Sequence, residues 1–362
     1  MRGIAALSVV AFHVYKKTLY APLSAPPLPQ PIHWYLRHGD LGVAVFFVIS
    51  GYVIASSIAK ARITPGFVAR FALRRSIRLD PPYWATIALE LALIVISQRI
   101  LHDQATLPSG AMVISHLAYA QSILGYGHVV AVFWTLCIEV QLYLCFVALS
   151  GLAQRLGKYG LAITFVPTIA LSLSLPFFFD VFAQNTYLVR YWYLFFGGVV
   201  VFWTLEGRVR ATWPITFALV IALTLITPLR SLNAVAMLCT AGAIWLAGRN
   251  GGLTTWLSGP VLQWLGRISY SLYLVHMPIS GRAINAASRL MRLPLNTSEQ
   301  LLLLAVGIAV SLGSAQLLYV LVERPTLALS KRIRKYSSHD APLTEPVLVQ
   351  QDGLQQNAEI GG

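Results

Sequence analysis

The chain opens on RGIAALSVVAFH, an almost wholly apolar stretch with an arginine at one end, Arg2, and an imidazole at the other, His13. At about 100° per residue, eleven residues make three turns plus about 20°, so on a helix the two share one face, about 16 Å apart along the axis. A neutral imidazole can take a proton from an attacking hydroxyl, and a guanidinium can hold an anion. A plainer reading is an arginine snorkelling to the membrane surface and a histidine bonded to a neighbouring helix. An ionisable group at that depth in an apolar segment nevertheless points to function by default.

Three further stretches carry chemistry. In FALRRSIRLDPPYW, Phe71 to Trp84, Arg75 and Arg78 stand one helical turn apart and can converge on one anion such as a phosphate. The plainer reading is a basic loop that only anchors topology. Pro81 and Pro82 then predict the start of the next span. In FWTLCIEVQLYL, Phe133 to Leu144, Glu139 is the lone charge of its apolar run, with Tyr143 one turn further and Thr135 one turn before. A carboxylate in lipid is costly and must face the bundle interior with a partner; Thr135 is placed to bond an acceptor. A purely structural pairing is the competing reading for Glu139, and the favoured one for Glu90. In LGRISYSLYLVHMP, Leu265 to Pro278, a spacing of three lines up Tyr270, Tyr273 and His276. They read either as an aromatic belt at the outer interface or as contacts to an acceptor.

The elements that must position these residues are membrane helices. Of 362 residues 57% are hydrophobic and 11% charged, with a mean hydropathy of +0.67, whereas soluble domains carry about 25% charged residues. Uncharged runs from Leu41 to Ala59 and from Gln300 to Val322 have the length of roughly 20 residues that crossing hydrocarbon takes. The pattern predicts an all-α polytopic bundle of about ten spans, starting near residues 3, 41, 82, 129, 160, 189, 213, 232, 260 and 300. No internal repeat suggests the paired halves common in carriers. A cleaved leader needs its basic residues before the apolar core, but Lys16 and Lys17 follow it. A start upstream of Met1 is left open.

A net charge of +14 invites a nucleic-acid reading, yet the charge is distributed as a membrane protein's. Lys60, Arg62, Arg70, Arg74, Arg75 and Arg78 crowd one connection, and Arg324, Lys331, Arg332, Arg334 and Lys335 follow the last span. The positive-inside rule puts both clusters, and with ten spans both termini, in the cytoplasm. Lys16, Lys17, Arg282, Arg289 and Arg292 then fall on the wrong side. Cys137, Cys145 and Cys239 lie in apolar spans as small hydrophobes, and no metal-ligand spacing exists. The proline-rich run from Ala21 to Pro31 reads as an extracytoplasmic loop, and residues 337–362 as a disordered cytoplasmic tail.

In this order, the stretches resemble the acyltransferase family 3 of integral membrane proteins, which transfer acyl groups to sugars and other hydroxyl acceptors. The matching pieces are Arg2 with His13, GVAVFFVISGYVIA (Gly42 to Ala55), Arg75 with Arg78, WTLCIEVQLYL around Glu139, LGRISYSLYLVHMP, and the closing Glu323-Arg324-Pro325. The resemblance implies a transmembrane acyltransferase domain over residues 1–336 in a bacterial cell (inner) membrane. It implies acetyl-CoA, or another acyl-CoA, as donor substrate, a saccharide or polysaccharide acceptor, and no permanently bound cofactor. His13 is then the catalytic base with Arg2 on its helix and Glu139 as a second catalytic group, Arg75 and Arg78 hold the coenzyme, and Thr135, Tyr143, Tyr273 and His276 lie toward substrate. The family often has an acid where this chain has Ala44, so that role is missing or moved to Asp40. A proton-coupled transporter is the rival reading, since intramembrane His and Glu also build proton relays.

Overall fold

The computed structural model describes residues 1–18, 28–101, 106–178, 188–224, 231–291 and 295–336. Among them every regular element is helical. In chain order the helices are α1 (Arg2–Thr18), α2 (Gln30–Arg37), α3 (Gly42–Ile58), α4 (Pro65–Leu101), α5 (Gly110–Leu117), α6 (Phe133–Arg155) and α7 (Gly160–Phe178). They continue with α8 (Trp192–Leu205), α9 (Thr212–Thr224), α10 (Leu232–Arg249), the single turn α11 (Gly252–Thr255), α12 (Pro260–Ser288), α13 (Thr297–Leu318) and α14 (Arg324–Tyr336). A helix stands at each of the ten expected places. Among the described residues six stretches are long and apolar enough to cross a membrane: residues 39–58, 65–100, 133–155, 188–205, 232–249 and 297–331. The helices α1, α7, α9 and α12 fall outside that set, so length and composition of the described residues support six of the ten expected spans. The tail 337–362 and residues 21–27 of the proline-rich run lie outside the described residues; from Gln30 that run is already helical.

The third expected span does not begin at the prolines. The helix α4 starts at Pro65 and runs through Pro81 and Pro82 to Leu101, so the basic stretch of Arg70 to Arg78 is helix rather than loop. A proline offers no N–H to the carbonyl four residues back, which frees those of Ile77 and Arg78. Membrane helices tolerate this where neighbours supply bonds nearby. Here Tyr270 donates its hydroxyl to the adjacent Leu79 carbonyl at 2.8 Å, and Asp80 accepts from Ser76 and Tyr119. The α13 start is conventional by contrast: Asn296 accepts from the Glu299 N–H at 2.9 Å and Glu299 accepts from the Asn296 N–H at 2.8 Å, a capping box that satisfies two orphan donors.

Two large apolar clusters, beside a small third one of Ala11, Tyr15 and Leu36, form the interior of the described residues. One gathers α3, α6, α8 and α10 around Phe47, Phe146, Phe195 and Trp203. The other gathers α1, α4, α6, α12 and α13 around Val10, Tyr83, Phe133 and Leu272. Because α6 contributes to both, Glu139 stands on the wall between them. In lipid, burying an apolar side chain gains nothing over leaving it among acyl chains, so helices associate through close packing. The α3–α8 contact shows how close: a Cβ on Gly51 would lie 1.8 Å from the Phe195 carbonyl oxygen, and one on Gly198 would lie 1.8 Å from that of Val48. Backbone meets backbone there.

Candidate active site

Helices α1 and α12 run side by side in parallel and in register. A Cβ on Gly3 would come within 2.6 Å of the Gly266 nitrogen, and ten residues along each helix His13 meets His276, ring nitrogens 3.3 Å apart. The same offset of 263 residues (266 − 3 and 276 − 13) holds at both points. Small residues set the first contact, since only a missing side chain allows that approach. His13 Nδ1 lies 2.9 Å from the Val9 carbonyl one turn back. His276 Nδ1 lies 2.8 Å from the Tyr273 carbonyl and 3.2 Å from that of Leu272. His276 is fully buried and His13 half-buried.

The Tyr270, Tyr273 and His276 face is turned into the protein rather than forming an interfacial belt; each residue reaches a different helix in the interior. Tyr270 bonds α4, Tyr273 shares a 2.6 Å hydrogen bond with Thr135 on α6, and His276 touches α1. Thr135 and Tyr273, both expected near the acceptor, thus stand against one another, and Thr135 also donates to the Val132 carbonyl at 3.0 Å. The face is readable from the spacing of three, but its three destinations are long-range and carry no local signal.

At the Arg2 end the cationic residues gather. Arg75 lies over the rings of Phe71 and Tyr143, 5.7 and 5.6 Å from their centroids, a cation–π arrangement that holds a guanidinium in a weakly hydrated place. Arg78, Arg2 and Glu139 are within electrostatic reach of it. Glu139 accepts a hydrogen bond from Ser50 of α3 at 2.7 Å. It therefore sits on the Arg75 side of the site, while the imidazole of His13 is held by α1 and α12. Asp40, the acid considered in place of the residue at Ala44, lies within electrostatic reach of His13 together with Lys16.

A second buried carboxylate completes the arrangement. Glu323 accepts from both the hydroxyl and the N–H of Ser271, at 2.6 and 3.2 Å, and Arg78 and Arg2 are the charges nearest in effect to it. It is 5% exposed and sits in a π-helical turn, Tyr319–Glu323, between α13 and α14; such turns cluster at functional sites. Sequence reading gave Glu323 no role beyond its place in Glu-Arg-Pro. The available signal was a lone carboxylate at the end of a twenty-three-residue uncharged run. Among the described residues no cluster of His, Cys, Asp or Glu suited to a metal is present.

A parallel helix pair carrying two histidines, with three arginines at one end, has the side chains that group transfer inside a membrane bundle would use. The acyltransferase 3 family model, an acyltransferase domain, matches residues 1–320, and the chain belongs to that family. It is 27% identical to the acyltransferase MdmB of Streptomyces mycarofaciens over 95% of each chain. It is 28% identical to BcsY of Komagataeibacter xylinus, named as a membrane-bound transacylase, over 92% of this chain and 83% of the other. Nodulation protein 10 of Rhizobium leguminosarum bv. viciae matches at 25% over 65% of this chain and 70% of its own. No solved structure matches. Membership makes the chain an acyltransferase, which the rival transporter reading does not account for.

Proposed function

We propose that the chain is an O-acyltransferase moving an acyl group, acetyl in the simplest case, from acyl-CoA to a hydroxyl of a saccharide or exopolysaccharide. The observation that supports this most is the grouping of Arg75, packed on Tyr143 and Phe71, with Arg78 and Arg2 at one end of α1, while His13 stands three turns further along the same helix. Phosphates of the coenzyme bind at the cytoplasmic end, where acyl-CoA is made. Its pantetheine arm has the reach to bring the thioester about 16 Å deeper.

A sugar hydroxyl is a poor nucleophile and sheds its proton as it attacks. The acceptor oxygen bonds to the thioester carbonyl carbon while His13 takes the hydroxyl proton. The carbon–sulfur bond then breaks, and the proton returns to the departing thiolate, so no net proton is consumed. Glu139, bonded to Ser50, balances the cationic group around Arg75 and relays that same proton from His13 toward the departing thiolate. Holding both substrates in line supplies much of the rate, as effective molarities of well-oriented pairs show.

The acceptor enters from the opposite side of the membrane. The test seals acetyl-CoA on the Arg75 side of reconstituted vesicles and offers a water-soluble oligosaccharide on the other. Acetylated product across the intact bilayer is expected. Product formed only when both substrates share the Arg75 side would overturn the transmembrane route, and no transfer from acetyl-CoA in any arrangement would overturn the donor.

A further inference from the structure

His276 sits beside His13 with a geometry that favours one arrangement of protons. A carbonyl oxygen only accepts, so a ring nitrogen within bonding distance of one carries the hydrogen. His13 Nδ1, 2.9 Å from the Val9 carbonyl, is therefore the protonated nitrogen of His13, which leaves Nε2 with the lone pair. His276 Nδ1, against the Tyr273 and Leu272 carbonyls, is likewise protonated, which leaves His276 Nε2 as an acceptor. That acceptor faces His13 Nδ1 at 3.3 Å. All the contacts agree on a single direction of donation: His13 Nδ1–H is shared between Val9 and His276, and His276 hands its own hydrogen to the backbone.

From this we propose that His276 is a positioning residue for the base: it holds His13 in the Nδ1–H tautomer and orients Nε2 as the proton-accepting atom. The proposal rests on the reading of His13 as the base. The Val9 carbonyl sets the tautomer only while the ring keeps the rotamer that reaches it, and a second acceptor is needed to hold that rotamer. His276 comes from another helix, and the Gly3–Gly266 approach fixes the register of the two. Protonated on both nitrogens, His276 would point Nε2–H at Nδ1–H of His13; full burial makes a charged ring there costly. His276 thus remains the neutral acceptor. When His13 takes the hydroxyl proton at Nε2, the resulting imidazolium still donates Nδ1–H to the same two acceptors, so the ring need not move during the reaction. An imidazole set in the wrong tautomer cannot act as base, and in a serine protease that fault alone costs about 10⁴ in turnover.

Glutamine discriminates between acceptor and filler, because its Oε1 reaches roughly where Nε2 of a histidine lies. The experiment compares the full-length wild type with His276→Gln and His276→Leu in lipid, with two readouts. In acetyl-CoA turnover, His276→Leu should lower kcat at least tenfold with KM for acetyl-CoA within twofold of wild type, and His276→Gln should recover most of the loss. In ¹⁵N-histidine NMR, with the His13 signals among the 8 histidines assigned by their loss in His13→Gln, wild type and His276→Gln should show one Nδ1–H tautomer and His276→Leu a mixture. Unchanged kcat, unchanged tautomer, or a His276→Gln variant as impaired as His276→Leu would each overturn the proposal. Should His276→Leu not accumulate, His276→Phe, nearer in shape, takes its place with the same expected losses. The tautomer is read without turnover, so a wild type that transfers no acetyl would overturn the donor and leave the NMR comparison to decide the pairing.

Discussion

Glu90 and Arg282 meet in a two-pronged ion pair between α4 and α12, with Nη1 2.7 Å from Oε2 and Nη2 3.0 Å from Oε1. The fork geometry matches carboxylate to guanidinium through two parallel bonds, and Nη1 also donates to the Pro278 carbonyl at 2.9 Å. One contact accounts for two oddities: an acid midway along an apolar stretch, and an arginine on the side that the positive-inside rule disfavours. Such a pair costs most when only one member is removed. Glu90→Gln should therefore lower the detergent melting temperature by several degrees. The double variant Glu90→Leu with Arg282→Met should recover most of it, and activity per folded molecule should stay near wild type in both. A double variant no more stable than the single would show that the two residues act independently.

Reading the sequence identified Glu90 as structural but could not name a partner 192 positions away. It found the helices because apolar runs of that length admit few alternatives, and it found Arg2, His13 and Glu139 because charge inside such runs is conspicuous. It misread α4, since paired prolines look like a helix start until the bonds around Leu79 and Asp80 are seen to carry the helix past them. The destination of His276 was hidden for a related reason. Periodicity reveals which residues share a face and says nothing of which helix that face meets.

His13→Ala should abolish acyl transfer while leaving membrane level and melting nearly unchanged, because the imidazole is half-buried and its bonds are few. Transfer above a tenth of wild type, measured with purified protein, would remove His13 from the base role. Glu139→Gln should lower turnover at least tenfold with folding retained, since a glutamine can still accept from Ser50. If folded protein is lost instead, Glu139 is structural.

Replacing either donor-side arginine should separate binding from anchoring. Arg75→Ala and Arg78→Ala are each expected to raise KM for acetyl-CoA by about ten- to a hundredfold, the scale of one lost charge-assisted hydrogen bond at about 1.5–3 kcal/mol. Assayed with a short thioester that lacks the nucleotide and its phosphates, both should match wild type. An equal loss toward that thioester would show that the arginines support the fold rather than the phosphates.

The α3–α8 crossing has no slack. Gly51→Ala or Gly198→Ala puts a methyl 1.8 Å from a carbonyl oxygen of the other helix, where neither side has a flexible atom to yield. Overpacking of this kind costs about 1–3 kcal/mol or more. Less folded protein and a lower melting temperature are expected in fluorescence-detected gel filtration, whereas Gly313→Ala, whose Cβ would meet nothing within 4 Å, should behave as wild type.

The wide turn at Tyr319–Glu323 joins α13 and α14 into one rod, with an i→i+5 pattern where an α-helix would hold one residue fewer. Each residue of an α-helix advances about 100°, so the extra one sets the rotational phase of everything after it. That phase is what aims Glu323 at Ser271 and brings Ser330 to the Arg74 carbonyl, 3.4 Å away. A one-residue deletion between 319 and 323 would barely alter composition or hydropathy. It would nevertheless swing α14 about a quarter turn around the rod and break both contacts together. Length at this turn is thus constrained as tightly as residue type, and an indel there should be tolerated only beside a compensating one in the same five residues.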